Sequence, residues 1–151
     1  MDMKFLDTSF LVNDEIQLRL RKTVEGNDEK GWVPAYHFAI CDKLGNEMGA
    51  CDLRIGHNVN TYYGGNIGYE IYEEYRGHHY AVKACLLLFE LAKKHNMDYL
   101  TITCNPSNFA SRKTCEYAGC QLVEIAELPI DNAMRLENGE TEKCIYKIEL
   151  K

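Results

Sequence analysis

Six consecutive residues, Arg76-Gly77-His78-His79-Tyr80-Ala81, carry the clearest chemical signal in the chain. They stand after a strand-like run, Asn66 to Tyr72, and the turn Glu73-Glu74-Tyr75, and before a long amphipathic stretch of helical period. A strand that re-enters as a helix through a glycine turn leaves several backbone N–H groups unpaired and aimed at one spot. Such a spot suits an anion, phosphates above all. A metal shared by His78 and His79 is the rival reading, but adjacent helical residues point about 100° apart, which argues against it.

The elements that hold this stretch follow from period and punctuation. Glu15 to Val24 alternates, with Ile16, Leu18 and Leu20 on one face, and reads as a half-buried strand. Ala35 to Cys41 and Met48 to Ile55 read as two more, joined by a turn over Asp42 to Asn46. Gly56 to Gly65 reads as a polar, aromatic loop, either a plain connection or a ligand-facing one. The helix after the turn carries Ala81, Ala84, Cys85, Leu88, Phe89 and Ala92 on one face, with Lys93, Lys94 and His95 in its last turn. Tyr99 to Cys104 is then a β-branched strand, so strand, helix and strand form a βαβ unit with parallel strands. Pro106 with Ser107 or Asn108 opens a second helix that stops at Gly119. Gln121 to Leu128 and Lys143 to Leu150 are strands around a polar segment, Pro129 to Thr141.

Bulk properties narrow the class. The chain has 151 residues, 46% of them apolar and 26% charged, which fits one domain over 1–151. A net charge of −6 argues against nucleic-acid or anionic-membrane partners, whose affinity rests on Lys and Arg. An acidic surface would suit a cationic acceptor, or serve only solubility. The seven cysteines are odd in number, lack CxxC spacing and fall within strands and helices. They read as buried free thiols of a reducing compartment, and the spacings of structural zinc are absent. With no leader pattern and no apolar run of about 20 residues, a soluble cytoplasmic protein is expected.

Arg76-Gly77-x-His79-x-Ala81 after a strand, followed by Asn105-x-x-Asn108-x-x-Ser111 opening a helix that ends at Gly119, resembles the GNAT superfamily of acetyl-CoA-dependent N-acetyltransferases. The likeness covers Gly64 to Leu128 and is nearest to the branch that acetylates N-termini of ribosomal proteins. It implies an α+β fold with a mixed, mostly antiparallel sheet, a splayed parallel strand pair and helices on both faces. It implies acetyl-CoA as co-substrate with no metal, and a primary amine, small or at a protein N-terminus, that attacks directly in a ternary complex. Amides of Gly77, His78, His79, Tyr80 and Ala81 would meet pyrophosphate, with Arg76 adding charge. Ile71 and Tyr72 would pair with the pantetheine arm, and Asn105, Asn108 and Ser111 would complete the cofactor side. Glu70 would be the general base, unless it is a sheet-surface carboxylate or a water chain serves instead.

The chain also departs from that family. His79 stands where glycine is usual, so its side chain must turn away from the phosphates or join in binding them. Cys115 stands where a tyrosine acid is common. It reads as a packed thiol rather than an acetyl carrier, and Ser111 takes the acid's role, unless it only caps its helix. Tyr117, six residues or about 600° beyond Ser111, falls on the far side of the helix. Glu25 to Val33 is too short for the two family helices that build much of the acceptor site. Gly56 to Gly65, Pro129 to Thr141 or a homodimer partner must build it instead. The alternative function is a coenzyme A-binding regulatory module without turnover.

Overall fold

The computed structural model describes residues 3–151. Four strands, β1 (Ile16–Val24), β2 (Ala35–Asp42), β3 (Glu47–Arg54) and β4 (Ile67–Ile71), form one antiparallel sheet in chain order. Three more, β5 (Tyr99–Cys104), β6 (Gln121–Glu127) and β7 (Glu142–Glu149), form a second antiparallel sheet in the order β5-β7-β6. The helices are α1 (Val59–Gly64), α2 (Tyr80–Lys94), α3 (Phe109–Tyr117) and α4 (Ala133–Asn138). This is the mostly antiparallel α+β architecture that the family resemblance implies.

Helix α2 is the packing centre. Ala84, Cys85, Leu88, Leu91 and Ala92 are fully buried and join Ile16, Phe38, Leu53, Ile102 and Tyr146 in one apolar cluster. Each large side chain buried in this way stabilises the fold by about 1.5–3 kcal/mol. The helix ends at His95, after which Asn96 takes a left-handed φ of 61°. All seven cysteines are free and buried.

The break between the sheets matters most for the site. Among the described residues no ladder joins β4 to β5, although α2 connects them. One residue, Asn66, ties the two edges. Its backbone N–H donates to the Thr101 carbonyl at 2.7 Å, and its Oδ1 accepts from the Thr101 N–H at 3.0 Å. Its Nδ2 donates to the carbonyls of Arg54 (3.0 Å) and Gly56 (2.8 Å), so a fully buried amide is fully satisfied. Beyond Asn66 the two strands part.

Two segments differ from expectation. The Gly56 to Gly65 loop contains α1, started by a reciprocal cap between Asn58 and Thr61. The Pro129 to Thr141 segment contains α4, capped by Asn132 and closed by Gly139 at a left-handed φ of 69°. Both helices have only six residues, too few for a helical period to stand out from a polar loop. Between β1 and β2 there is only a 3-10 turn, Asp28–Lys30, where the family resemblance implies two helices.

Candidate active site

The turn into α2 has the expected unpaired amides. His79 is the N-cap residue and offers no side-chain cap, and the first intrahelical bond runs from the Lys83 N–H to the His79 carbonyl at 3.1 Å. The N–H groups of Tyr80, Ala81 and Val82 have no acceptor among the described residues. The positive end of a 15-residue helix therefore faces a cleft with its donors free. Gly77 has a φ of 92° and open space around it, so backbone conformation rather than crowding demands glycine there. His79 has a left-handed φ of 61°, a conformation costing a side-chain-bearing residue about 1–2 kcal/mol. Its ring meets Tyr117 edge to face, 5.3 Å between centroids.

The cleft, about 560 Å³, lies between β4, the α2 turn and α3. Its lining brings together Glu70, Ile71, Arg76, Gly77, His79, Tyr80 and Ala81 with Asn108 and Ser111. Three expected residues stand outside this lining. Tyr72 donates its backbone N–H to Met48 of β3 at 2.8 Å and its hydroxyl to Glu47 at 2.5 Å, so it serves the sheet rather than the cleft. Its backbone points inward because alternate residues of an edge strand bond to opposite sides. The same alternation turns the backbones of Tyr69 and Ile71 toward the gap, where the Ile71 carbonyl accepts from Arg76 Nε at 2.8 Å. His78 is exposed and tilts against Tyr80, and Asn105 accepts the Asn108 N–H on its carbonyl at 2.9 Å.

Ser111 does not cap its helix. Asn108 does, its Oδ1 accepting the Ser111 N–H at 3.1 Å. The freed Ser111 hydroxyl lies 2.9 Å from the Tyr69 hydroxyl. Burial pushes the Tyr69 phenol well above the ordinary tyrosine range, so it stays protonated and able to donate at neutral pH. Sequence reading missed Tyr69, although alternation with Ile67 and Ile71 was a sufficient signal for its face. Tyr117 lines the cleft, contrary to the helical-offset expectation. It occupies the last turn of α3, where a long side chain reaches round the helix end to His79. Cys115 is fully buried, and its contact with the Cys120 thiol together with burial raises its pKa far beyond the nucleophilic range.

Glu70 projects from the opposite face of β4, exposed and without an ion pair among the described residues. It borders a groove of about 220 Å³ over the first sheet, shared with His37, Asp52 and Gly68. His37 Nδ1 lies 4.0 Å from Asp52 Oδ2, and burial lowers its pKa against the pull of Asp52. Asp52 also accepts from Arg54 at 3.4 Å and from the Gly68 N–H at 2.9 Å. His37 in turn borders a cavity of about 700 Å³ walled by the β1–β2 connection, α1 and the start of α4. Glu70 lines both the cleft and the groove, and His37 lines both the groove and the cavity. Among the described residues no three His, Cys, Asp or Glu side chains gather to hold a metal ion.

Residues 4–121 match the family model of the acetyltransferase (GNAT) domain. The chain belongs to the GNAT family. No curated protein sequence matches it. Among solved structures it is similar to a putative ribosomal-protein-serine acetyltransferase from Vibrio cholerae, with a TM-score of 0.67 and 18% identity over 95% of this chain and 99% of that one. The ribosomal-protein-S5-alanine acetyltransferase from Vibrio fischeri gives a TM-score of 0.60 at 20% identity, over 78% of this chain and 62% of that one. The microcin C7 self-immunity acetyltransferase MccE, solved with acetyl-CoA and AMP, gives 0.59 at 22% identity, over 76% and 61%. The chain spans less than two thirds of the length of these last two, and at such identities the likeness speaks for the fold. Within this GNAT fold, the Tyr69 and Ser111 hydroxyls meet on the wall of the cleft.

Proposed function

We propose that the chain, as one domain over 1–151 and in a reducing cytoplasm, transfers acetyl from acetyl-CoA to a primary amine in a ternary complex. The observation that carries this reading is the meeting, around one cleft, of the free first-turn amides of α2, the edge of β4 that no strand pairs among the described residues, and the Tyr69–Ser111 pair. The pyrophosphate lies against the amides of Tyr80, Ala81 and Val82, with Gly77, His78 and His79 shaping the turn and Arg76 adding charge. The pantetheine arm pairs with the outward backbone of Tyr69 and Ile71, in place of Tyr72. Asn105 and Asn108 support the opposite wall by fixing the start of α3.

The amine nitrogen attacks the thioester carbonyl carbon, forming the N–C bond. The proton it sheds passes to Glu70, directly or through water, and the C–S bond then breaks. The departing thiolate is met by hydrogen bonding from the Tyr69–Ser111 hydroxyl pair and takes its proton by relay through that pair, which solvent re-protonates; burial keeps the phenol a donor rather than making it a strong acid. Products are the acetamide and free coenzyme A, with no acetyl-enzyme.

Release of free thiol from acetyl-CoA on a panel of amines and N-terminal peptides tests this reading. Turnover is expected on at least one amine, and Glu70→Gln should lower kcat by about 10²-fold or more with little change in acetyl-CoA affinity. A module without turnover would bind acetyl-CoA and release none across the panel.

A further inference from the structure

The cavity beside the groove is built from the segments that replace the missing family helices. Trp32 and Val33 come from the β1–β2 connection, Val59 from α1, and Ala133 and Met134 from α4. Trp32 is 51% exposed and Val59 65%, an apolar rim that a soluble fold gains nothing by displaying at a cavity mouth. The charged groups around it are few and are largely spoken for. Arg54 is engaged by Asp52 and the Gly65 carbonyl, and the Lys30 ammonium sits 4.6 Å over the Trp32 ring. Asp131 is the one carboxylate in the lining, against the two cations Lys30 and Arg54. The acidic net charge of the chain is therefore not expressed here, and a second or third ammonium group on a ligand would face Lys30 and Arg54. Its inner end is lined by His37, which also lines the groove bordered by Glu70.

We infer that this cavity is the acceptor site and that it takes a single primary amine carried on an apolar group, with polyamines and other polycations excluded. The inference rests on the transferase reading for its purpose, but occupancy of the cavity is measured separately from acetyl transfer. The apolar body lies against Trp32, Val59 and Met134, and the amine points past His37 toward Glu70. The source of that chemistry is either a free amine or an N-terminal residue with an apolar side chain.

Trp32 is the only tryptophan in the chain, so its fluorescence reports the rim of the cavity directly. The wild-type protein, saturated with coenzyme A, is titrated with leucine amide, with a leucine-initiated hexapeptide and with spermidine. A saturable blue shift is expected with leucine amide, with the peptide, or with both, and which of the two binds more tightly identifies the source. Spermidine should need at least about tenfold higher concentration. Val59→Arg, at an exposed position, should weaken the apolar amine about tenfold or more and leave acetyl-CoA affinity unchanged. No response to either apolar amine, equal or tighter binding of spermidine, or indifference to Val59→Arg overturns the inference. Failure of acetyl-CoA to bind would instead overturn the transferase reading, while the Trp32 response would still decide the cavity.

Discussion

Replacing Asn66 with alanine is expected to cost about 3–5 kcal/mol of stability, among the largest losses available from a single side chain in this fold. Asn66 is fully buried, and its amide serves Thr101, Arg54 and Gly56 at once. Removing it strands the buried N–H of Thr101 on β5 and takes the partner from the half-buried carbonyls of Arg54 and Gly56. No apolar residue of similar size can restore them, so Asn66→Leu should fare no better than alanine. The position also pins the point from which β4 and β5 diverge, and amide exchange at Thr101 should accelerate with the loss. Denaturant unfolding of wild type and variant decides the matter. A difference below about 1 kcal/mol, within the range of an ordinary surface hydrogen bond, would show that Asn66 does not hold the sheets together.

The largest expected loss of activity lies at Tyr69. Tyr69→Phe keeps the ring, its packing against α2 and α3 and the strand backbone, and removes only the hydroxyl that meets Ser111. Loss of a positioned proton donor lowers kcat by about 10²–10⁴-fold, and KM for acetyl-CoA should move little. Because Tyr69 and Ser111 act as one pair, Ser111→Ala combined with Tyr69→Phe should be no slower than the slower single variant. Multiplied effects in the double variant would mean that the two hydroxyls serve separate steps. Full activity in Tyr69→Phe would remove the pair from the mechanism.

Much of this was legible in the chain itself, for identifiable reasons. The alternation of Ile16 and Leu18 with polar residues, and the helical face of Ala84, Cys85, Leu88 and Ala92, are strong local periods, and the strands and helix they predict are present. The glycine turn at Gly77 was readable too, whereas the left-handed backbone of His79, a side-chain-bearing residue, was not. What was not legible depends on distant partners or on fine geometry. Helices α1 and α4 rest on caps at Asn58 and Asn132 rather than on period. Asn66 reads as an ordinary strand residue until β5 lies beside it. Tyr72 was misplaced because chain position at the end of β4 says nothing of which side its backbone serves. Tyr117 was misplaced because an ideal helical angle ignores the reach of a tyrosine in a final turn. Gly56 to Gly65 and Pro129 to Thr141, named with a partner subunit as the segments left to form an acceptor pocket, both line the cavity that we infer takes the amine.

The central claim is that acetyl-CoA binds with its phosphates against the first turn of α2. Calorimetric titration of the wild-type chain with acetyl-CoA, beside Ala81→Glu, tests it most directly. A glutamate in the first helical turn complements the helix dipole, so the variant should be as stable as wild type or gain up to about 1 kcal/mol. Its carboxylate would occupy the space offered to phosphate. The account predicts saturable binding to wild type and a loss of at least about tenfold in Ala81→Glu, in a protein that remains folded. No binding to wild type at millimolar acetyl-CoA, or equal affinity in the two proteins, would contradict it.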